Sequence, residues 1–273
     1  MLSKIRQMAL LTAVALSGQS ISSAVAETAV GPKVTDPHFH LIPGYLQSSE
    51  LPNSLVLLGP PPADGSAALA RDEAAREATM ALRGKARWNL ARKDADLQFP
   101  QPAKNFSCAL GADISEGKTP HLYRLMQRVL TDAGLSTYGI KNRYNRTRPF
   151  VVHNEGTCQP DEEAVLRQDG SYPSGHTAAG WAWALALAEV NPKQADNLLK
   201  RGLSFGQSRV ICNAHWQSDV DGGRIMGAAT IAKLHSNAEF LADVQAARKE
   251  LETASSPAAD CAVEDEVLSE QKR

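Results

Sequence analysis

Residues 170–190 read GSYPSGHTAAGWAWALALAEV, a polar turn that runs straight into a segment apolar nearly all round. Helices at a protein surface keep a polar stripe, whereas Trp181, Trp183, Leu185 and Leu187 leave no such stripe between Thr177 and Val190. A helix of this kind is buried by its neighbours, and Asn191-Pro192 marks its end. The rest of the chain supplies partners for it. Ala67–Leu82 is dominated by alanine, arginine and glutamate, which are strong helix formers, and Trp88–Leu97 continues in that style. Thr119-Pro120 predicts an N-cap followed by a first-turn proline. After it, Leu122, Leu125, Met126, Val129 and Leu130 form the stripe of an amphipathic helix. Further helices are predicted over 194–208, 219–234 and 240–253. Alternation with a period of two is scarce. The expected fold is therefore all-α, a single-domain helical bundle around a central buried helix.

The ends read differently from the middle. Lys4 and Arg6, the apolar run from Met8 to Leu16 and then Ala24-Val25-Ala26 have the order of a cleaved export signal over residues 1–26. Residues 27–65 are rich in proline, glycine and polar side chains and are expected to form an extended N-terminal arm. The helical domain spans 66–253, and residues 254–273 are expected to be a polar tail, loose apart from Cys261. His38-x-His40 falls in the arm, but no third ligand lies nearby, so the segment reads as ordinary surface and no metal is expected. No apolar stretch after the signal is long enough to span a bilayer. The formal charge is −1 and aromatics make up 5% of the chain, which offers neither the basic field nor the stacking surface of a nucleic-acid binder. Export and an even cysteine count predict two disulfides among Cys108, Cys158, Cys212 and Cys261. Three pairings remain open. Cys158 with Cys212 is preferred because both follow clusters of chemically active residues, leaving Cys108 for Cys261.

Three clusters place polar chemistry where a helical protein would otherwise pack. Lys141–Pro149, KNRYNRTRP, carries the four cations Lys141, Arg143, Arg146 and Arg148. Pro149 pushes Arg148 out of the α region, which predicts a guanidinium at a helix exit, free to point into a cavity. In GSYPSGHT the turn ends at a helix N-terminus, where free N–H groups and the helix dipole favour an anion. Ser174 adds a hydroxyl there and His176 an imidazole. In SRVICNAHWQSDVD, residues 208–221, Asp219 follows His215 by four positions and can accept the Nδ1 proton from one helical turn away. That leaves the Nε2 lone pair as a nucleophile, and Arg209 offers a planar fork for phosphate oxygens.

Lys141-x6-Arg148-Pro149, Pro173-Ser174-Gly175-His176 and Ser208-Arg209-x5-His215-x3-Asp219 together resemble the three-part signature of the type 2 phosphatidic acid phosphatase superfamily. That superfamily also contains the vanadium haloperoxidases. The wording of the second and third clusters resembles the class A bacterial nonspecific acid phosphatases, over roughly residues 55–250 and including LLGPPPADGS and FSCALG. The resemblance implies phosphate held by Lys141, Arg148, Ser174, Gly175 and Arg209, with His215 as nucleophile through a phosphohistidine. His176 would act as general acid and base, and Asp219 would orient His215. It implies no metal and no cofactor, a mildly acidic optimum, vanadate sensitivity, broad use of small phosphate monoesters and transfer to alcohols as a side activity. A periplasmic location and a homo-oligomer are further expectations. A haloperoxidase would tend to be longer, a lipid phosphatase would carry membrane spans, and a noncatalytic phosphate binder would need neither histidine.

Overall fold

The computed structural model describes residues 41–270, and the export signal read over 1–26 and His38-x-His40 lie outside them. Among the described residues there is no strand. The helices in chain order are α1 (Ser54–Leu57), α2 (Ala67–Met80), α3 (Ala86–Ala95), α4 (Gln101–Leu110), α5 (Pro120–Leu135), α6 (Tyr138–Tyr144) and α7 (Pro149–Val152). They continue with α8 (Glu163–Leu166), α9 (Gly175–Val190), α10 (Ala195–Ile211), α11 (Gln217–Leu234), α12 (Ala238–Leu251) and α13 (Cys261–Glu270).

Helix α9 is the one without a polar stripe, and it sits at the centre, packed by α5, α10, α11 and α12. Trp183 is fully buried in it, with its indole N–H on the Met126 carbonyl at 2.7 Å and Phe99, Phe106 and Phe205 edge-on around the ring. Truncating a buried aromatic of this kind costs about 3–5 kcal/mol. Small residues let the neighbours come close. A Cβ on Gly223 of α11 would stand 2.6 Å from the Ser174 carbonyl, and one on Gly227 would stand 2.5 Å from that of Ala178. This contact seats the start of α11 against the start of α9, where two of the three polar clusters meet.

Several local expectations need correction. Thr119 does precede Pro120 at the first turn of α5, but its hydroxyl turns back to Ser115 and does not cap. The free N–H groups of His121 and Leu122 are met by the Glu250 carboxylate from α12, at 2.8 and 3.0 Å. An anion supplied by a tertiary neighbour does the work predicted for a local hydroxyl. Helix α4, although amphipathic, is not among the helices expected from the sequence, nor are the short α6 and several single-turn helices. The C-terminal segment is not loose: 261–270 forms α13, and Val267 and Leu268 are buried against Leu90 of α3. Both disulfides pair as preferred, Cys158 with Cys212 and Cys108 with Cys261.

In the arm, the described residues 41–65 are mostly irregular apart from α1. Tyr45 anchors them. Its N–H donates to Asp132 at 2.8 Å, its hydroxyl donates to Asp243 at 2.8 Å, and Arg128 stacks on its ring.

Candidate active site

The three clusters meet at one cavity of about 510 Å³, lined by Lys141, Arg148, Gly175, His176 and His215 among others. That volume suits a small ligand. Ser174 and Arg209 are fully buried behind its wall: Ser174 precedes Gly175, and Arg209 donates to the lining residue Gln159 at 2.9 Å.

Arg148 stands on extended backbone (ψ 152°) between α6 and α7, as its proline requires, although it caps the start of α7 and does not leave a helix. Its Nη1 donates to His215 Nε2 at 2.9 Å and to the Ala214 carbonyl at 3.0 Å. A guanidinium only donates, so Nε2 must be the unprotonated nitrogen. The proton then sits on Nδ1, which faces Asp219 Oδ2 at 3.3 Å. The tautomer expected from sequence is reached by a different route. His215 lies before α11, not within it, and Asp219 reaches back from the first turn, where it also accepts the Trp216 N–H at 2.8 Å.

Asp219 is held by groups that sequence reasoning missed. Ser171 Oγ donates to its Oδ2, and Arg146 Nη1 donates to its Oδ1 at 2.7 Å. Arg146 is fixed in turn by the fully buried Asp72 of α2 at 2.8 Å, and Asp72 also takes the Ser218 N–H and hydroxyl. Arg146 was visible as one cation of four, but Asp72 lies far from every cluster and carried no signal. Asp169, missed as well, places its carboxylate 2.8 Å from Arg148 Nη2 and 3.4 Å from Lys141 Nζ.

Ser174 caps α9. Its Oγ accepts from the Thr177 N–H at 3.2 Å and the Thr177 hydroxyl at 3.0 Å, so its own hydrogen remains to be donated. His176 Nε2 donates to the Ala95 carbonyl at 2.9 Å, which leaves Nδ1 as the basic nitrogen.

Burial and clustered cations govern the electrostatics. Burial, then Arg148, Lys141 and Arg209, hold the His215 imidazole well below its usual range. Burial and then Arg209 do the same to His176. Arg209 falls to about 9 through burial and the nearby Arg148. Its Nε and Nη2 are buried with no partner, and two orphaned donors on a cation beside a cavity are the signature of an anion site. Among the described residues no three His, Cys, Asp or Glu side chains converge as metal ligands.

The geometry defines a helical protein that gathers buried cations and two histidines around one cavity. Comparison with known proteins agrees. Residues 126–240 match the PAP2 superfamily. The chain is 46% identical over 207 residues to a non-specific acid phosphatase of Providencia stuartii, covering 76% of this chain and 84% of that protein. It is 41% identical over 246 residues to an acid phosphatase of Zymomonas mobilis, covering 90% and 89%. A non-specific acid phosphatase of Salmonella typhimurium is 44% identical over 200 residues, covering 73% and 80%. The chain belongs to the class A bacterial acid phosphatases of the PAP2 superfamily.

Proposed function

We propose that this acid phosphatase hydrolyses small phosphate monoesters without a metal ion, through a phosphohistidine on His215. One observation carries the reading: Arg209 is fully buried beside the cavity with Nε and Nη2 unpartnered, next to Arg148 and within the field of both histidines. The phosphoryl oxygens would satisfy those donors, with Lys141, Arg148, the Ser174 hydroxyl and the Gly175 N–H completing the cradle. Such donors strengthen as charge spreads over the equatorial oxygens in the transition state.

In the first step His215 Nε2 bonds to phosphorus as the bond to the leaving oxygen breaks. A proton on His176 goes to that oxygen. Asp219, held by Arg146 and Ser171, stabilises the imidazolium. In the second step water attacks phosphorus and gives a proton to His176. The P–N bond breaks, and Nε2 regains its lone pair. An alcohol replacing water gives phosphotransfer, and vanadate would inhibit by filling the same cradle.

The depressed histidines set the pH response. His215 stays neutral, and so nucleophilic, well below pH 6.5. His176 keeps its proton only in acid until a dianion beside it restores its basicity. Activity should therefore fall on the alkaline side, giving the acidic optimum. Because the assigned groups all face the phosphoryl group, the leaving group is read loosely. We also read the chain as exported to the periplasm, acting there on small esters and not on nucleic acid, and assembling as a homo-oligomer. N-terminal sequencing of the secreted protein and light scattering test those two points.

The central test is p-nitrophenyl phosphate hydrolysis in excess EDTA, with denaturing quench to trap phosphoenzyme. Wild type should keep full turnover and give an acid-labile phosphohistidine, whereas His215→Ala should give neither. Loss of activity in EDTA, or a fully active alanine variant, would overturn the mechanism.

A further inference from the structure

We propose that Asp169 makes phosphate binding proton-linked, the phosphoryl group entering the cradle together with one proton that it shares with the Asp169 carboxyl. This rests on the cradle reading above and names the residue that decides which protonation state of the substrate is taken.

The geometry starts from competition for the same cations. Asp169 Oδ2 lies 2.8 Å from Arg148 Nη2 and 3.4 Å from Lys141 Nζ, while its main-chain carbonyl accepts from Arg148 Nε at 3.0 Å. One residue thus grips the guanidinium along a whole edge, and its side chain keeps 20% exposure on the cavity wall. The other edge of Arg148 already serves His215 and Ala214. Lys141 is further tied to the Gly170 carbonyl at 2.6 Å. A phosphoryl group held by Lys141 and Arg148 must share both with this carboxylate. In the proposed complex a phosphate oxygen stands within an O–H···O contact of that carboxylate, about 2.5–3.0 Å.

Two unprotonated anionic oxygens do not rest at that separation. With one proton between them they form a short charge-assisted hydrogen bond, as paired carboxylates do. Below about pH 6 a phosphate monoester brings this proton itself, and above it the proton must come from solvent. The charged and titratable groups around Asp169 are Lys141 and Arg148 in contact, His215 behind Arg148, and Arg92, Asp96, Tyr138, Asp161, Glu162 and His176 on the same cavity. Both histidines can also take up protons when phosphate arrives, so the count that matters is the difference made by Asp169 alone.

Calorimetric titration of the whole protein with inorganic phosphate at pH 8, in buffers of different ionisation enthalpy, counts protons taken up. Wild type should take up about one proton more than Asp169→Asn, and Asp169→Glu should keep the wild-type count. The wild-type Kd should weaken by up to about tenfold per pH unit above neutrality, with a shallower slope in the asparagine variant. Asp169→Ser gives the same comparison should the asparagine variant not fold. Equal proton uptake in wild type and the uncharged variants would overturn the proposal. So would folded variants that no longer bind phosphate, since Asp169 would then only orient the cations. A wild type that binds no phosphate, or an Arg209→Ala variant that binds it equally well, would instead sink the cradle reading.

Discussion

Arg201 and Arg209 stand on the same helix, α10, both closed off from solvent, yet their surroundings are opposite. Arg201 is fully engaged. It pairs with Asp94 through both terminal nitrogens, and its Nε meets the Asn105 carbonyl at 3.0 Å and Glu264 at 2.8 Å. Phe106 and Phe205 flank its guanidinium. The carboxylates raise its pKa despite burial, whereas Arg209 has no carboxylate in contact and drops to about 9. A buried arginine with its partners built in is a structural bolt. One left short of partners stores binding energy for an anion that arrives later.

The largest effect should come from Arg201→Ala. Stranding Asp94 costs about 3–5 kcal/mol in denaturant unfolding, while the folded fraction keeps kcat/KM within a few-fold. Arg209→Ala should do the reverse: kcat/KM on p-nitrophenyl phosphate falls about 10²–10³-fold, and the melting temperature holds or rises. If the melting temperature collapses and activity survives, the contrast is wrong.

Converting one arginine into the other is a sharper trial. Gln159 accepts from Arg209 Nη1 at 2.9 Å. Gln159→Glu would give Arg209 the carboxylate that Arg201 has, stabilising the fold and raising KM about tenfold through competition for the cation.

The smallest effect concerns pH. His215 and His176 are held neutral in the fold below their ordinary 6.5, so the unfolded chain binds more protons there. Their contribution to stability is complete above about pH 6.5 and is lost as pH falls. Melting curves from pH 7 to pH 5 should show this slope. Arg209→Ala should make it shallower, because Arg209 depresses both histidines, and Arg201→Ala should leave it unchanged.

Much of this was legible because it is local. An all-apolar helix announces its own burial, and residues 170–190 placed α9 and the turn before it. The three clusters held Lys141, Arg148, Gly175, His176 and His215, which line one cavity, since each motif carries its chemistry within a few residues. What stayed hidden is what depends on distant partners. The cap of α5 comes from Glu250, the brace on Asp219 from Asp72, and the pairing of Arg201 from Asp94 and Glu264. No window of sequence contains both members of such a pair. Asp169 was hidden for another reason: a carboxylate beside a glycine turn looks like turn chemistry until Lys141 and Arg148 are seen around it.

Helix α13 ties two distant stretches of the chain together. It brings Glu264 to Arg201 and Cys261 to Cys108, and so completes a buried charge cluster and a covalent tie begun much earlier in the chain. A chain cut short before residue 261 would keep every group around the cavity. It would nevertheless carry an exchangeable thiol at Cys108 and an arginine with only one of its two acids. Such a chain should assemble its cavity yet hold its fold less firmly, with Cys108 left free to exchange.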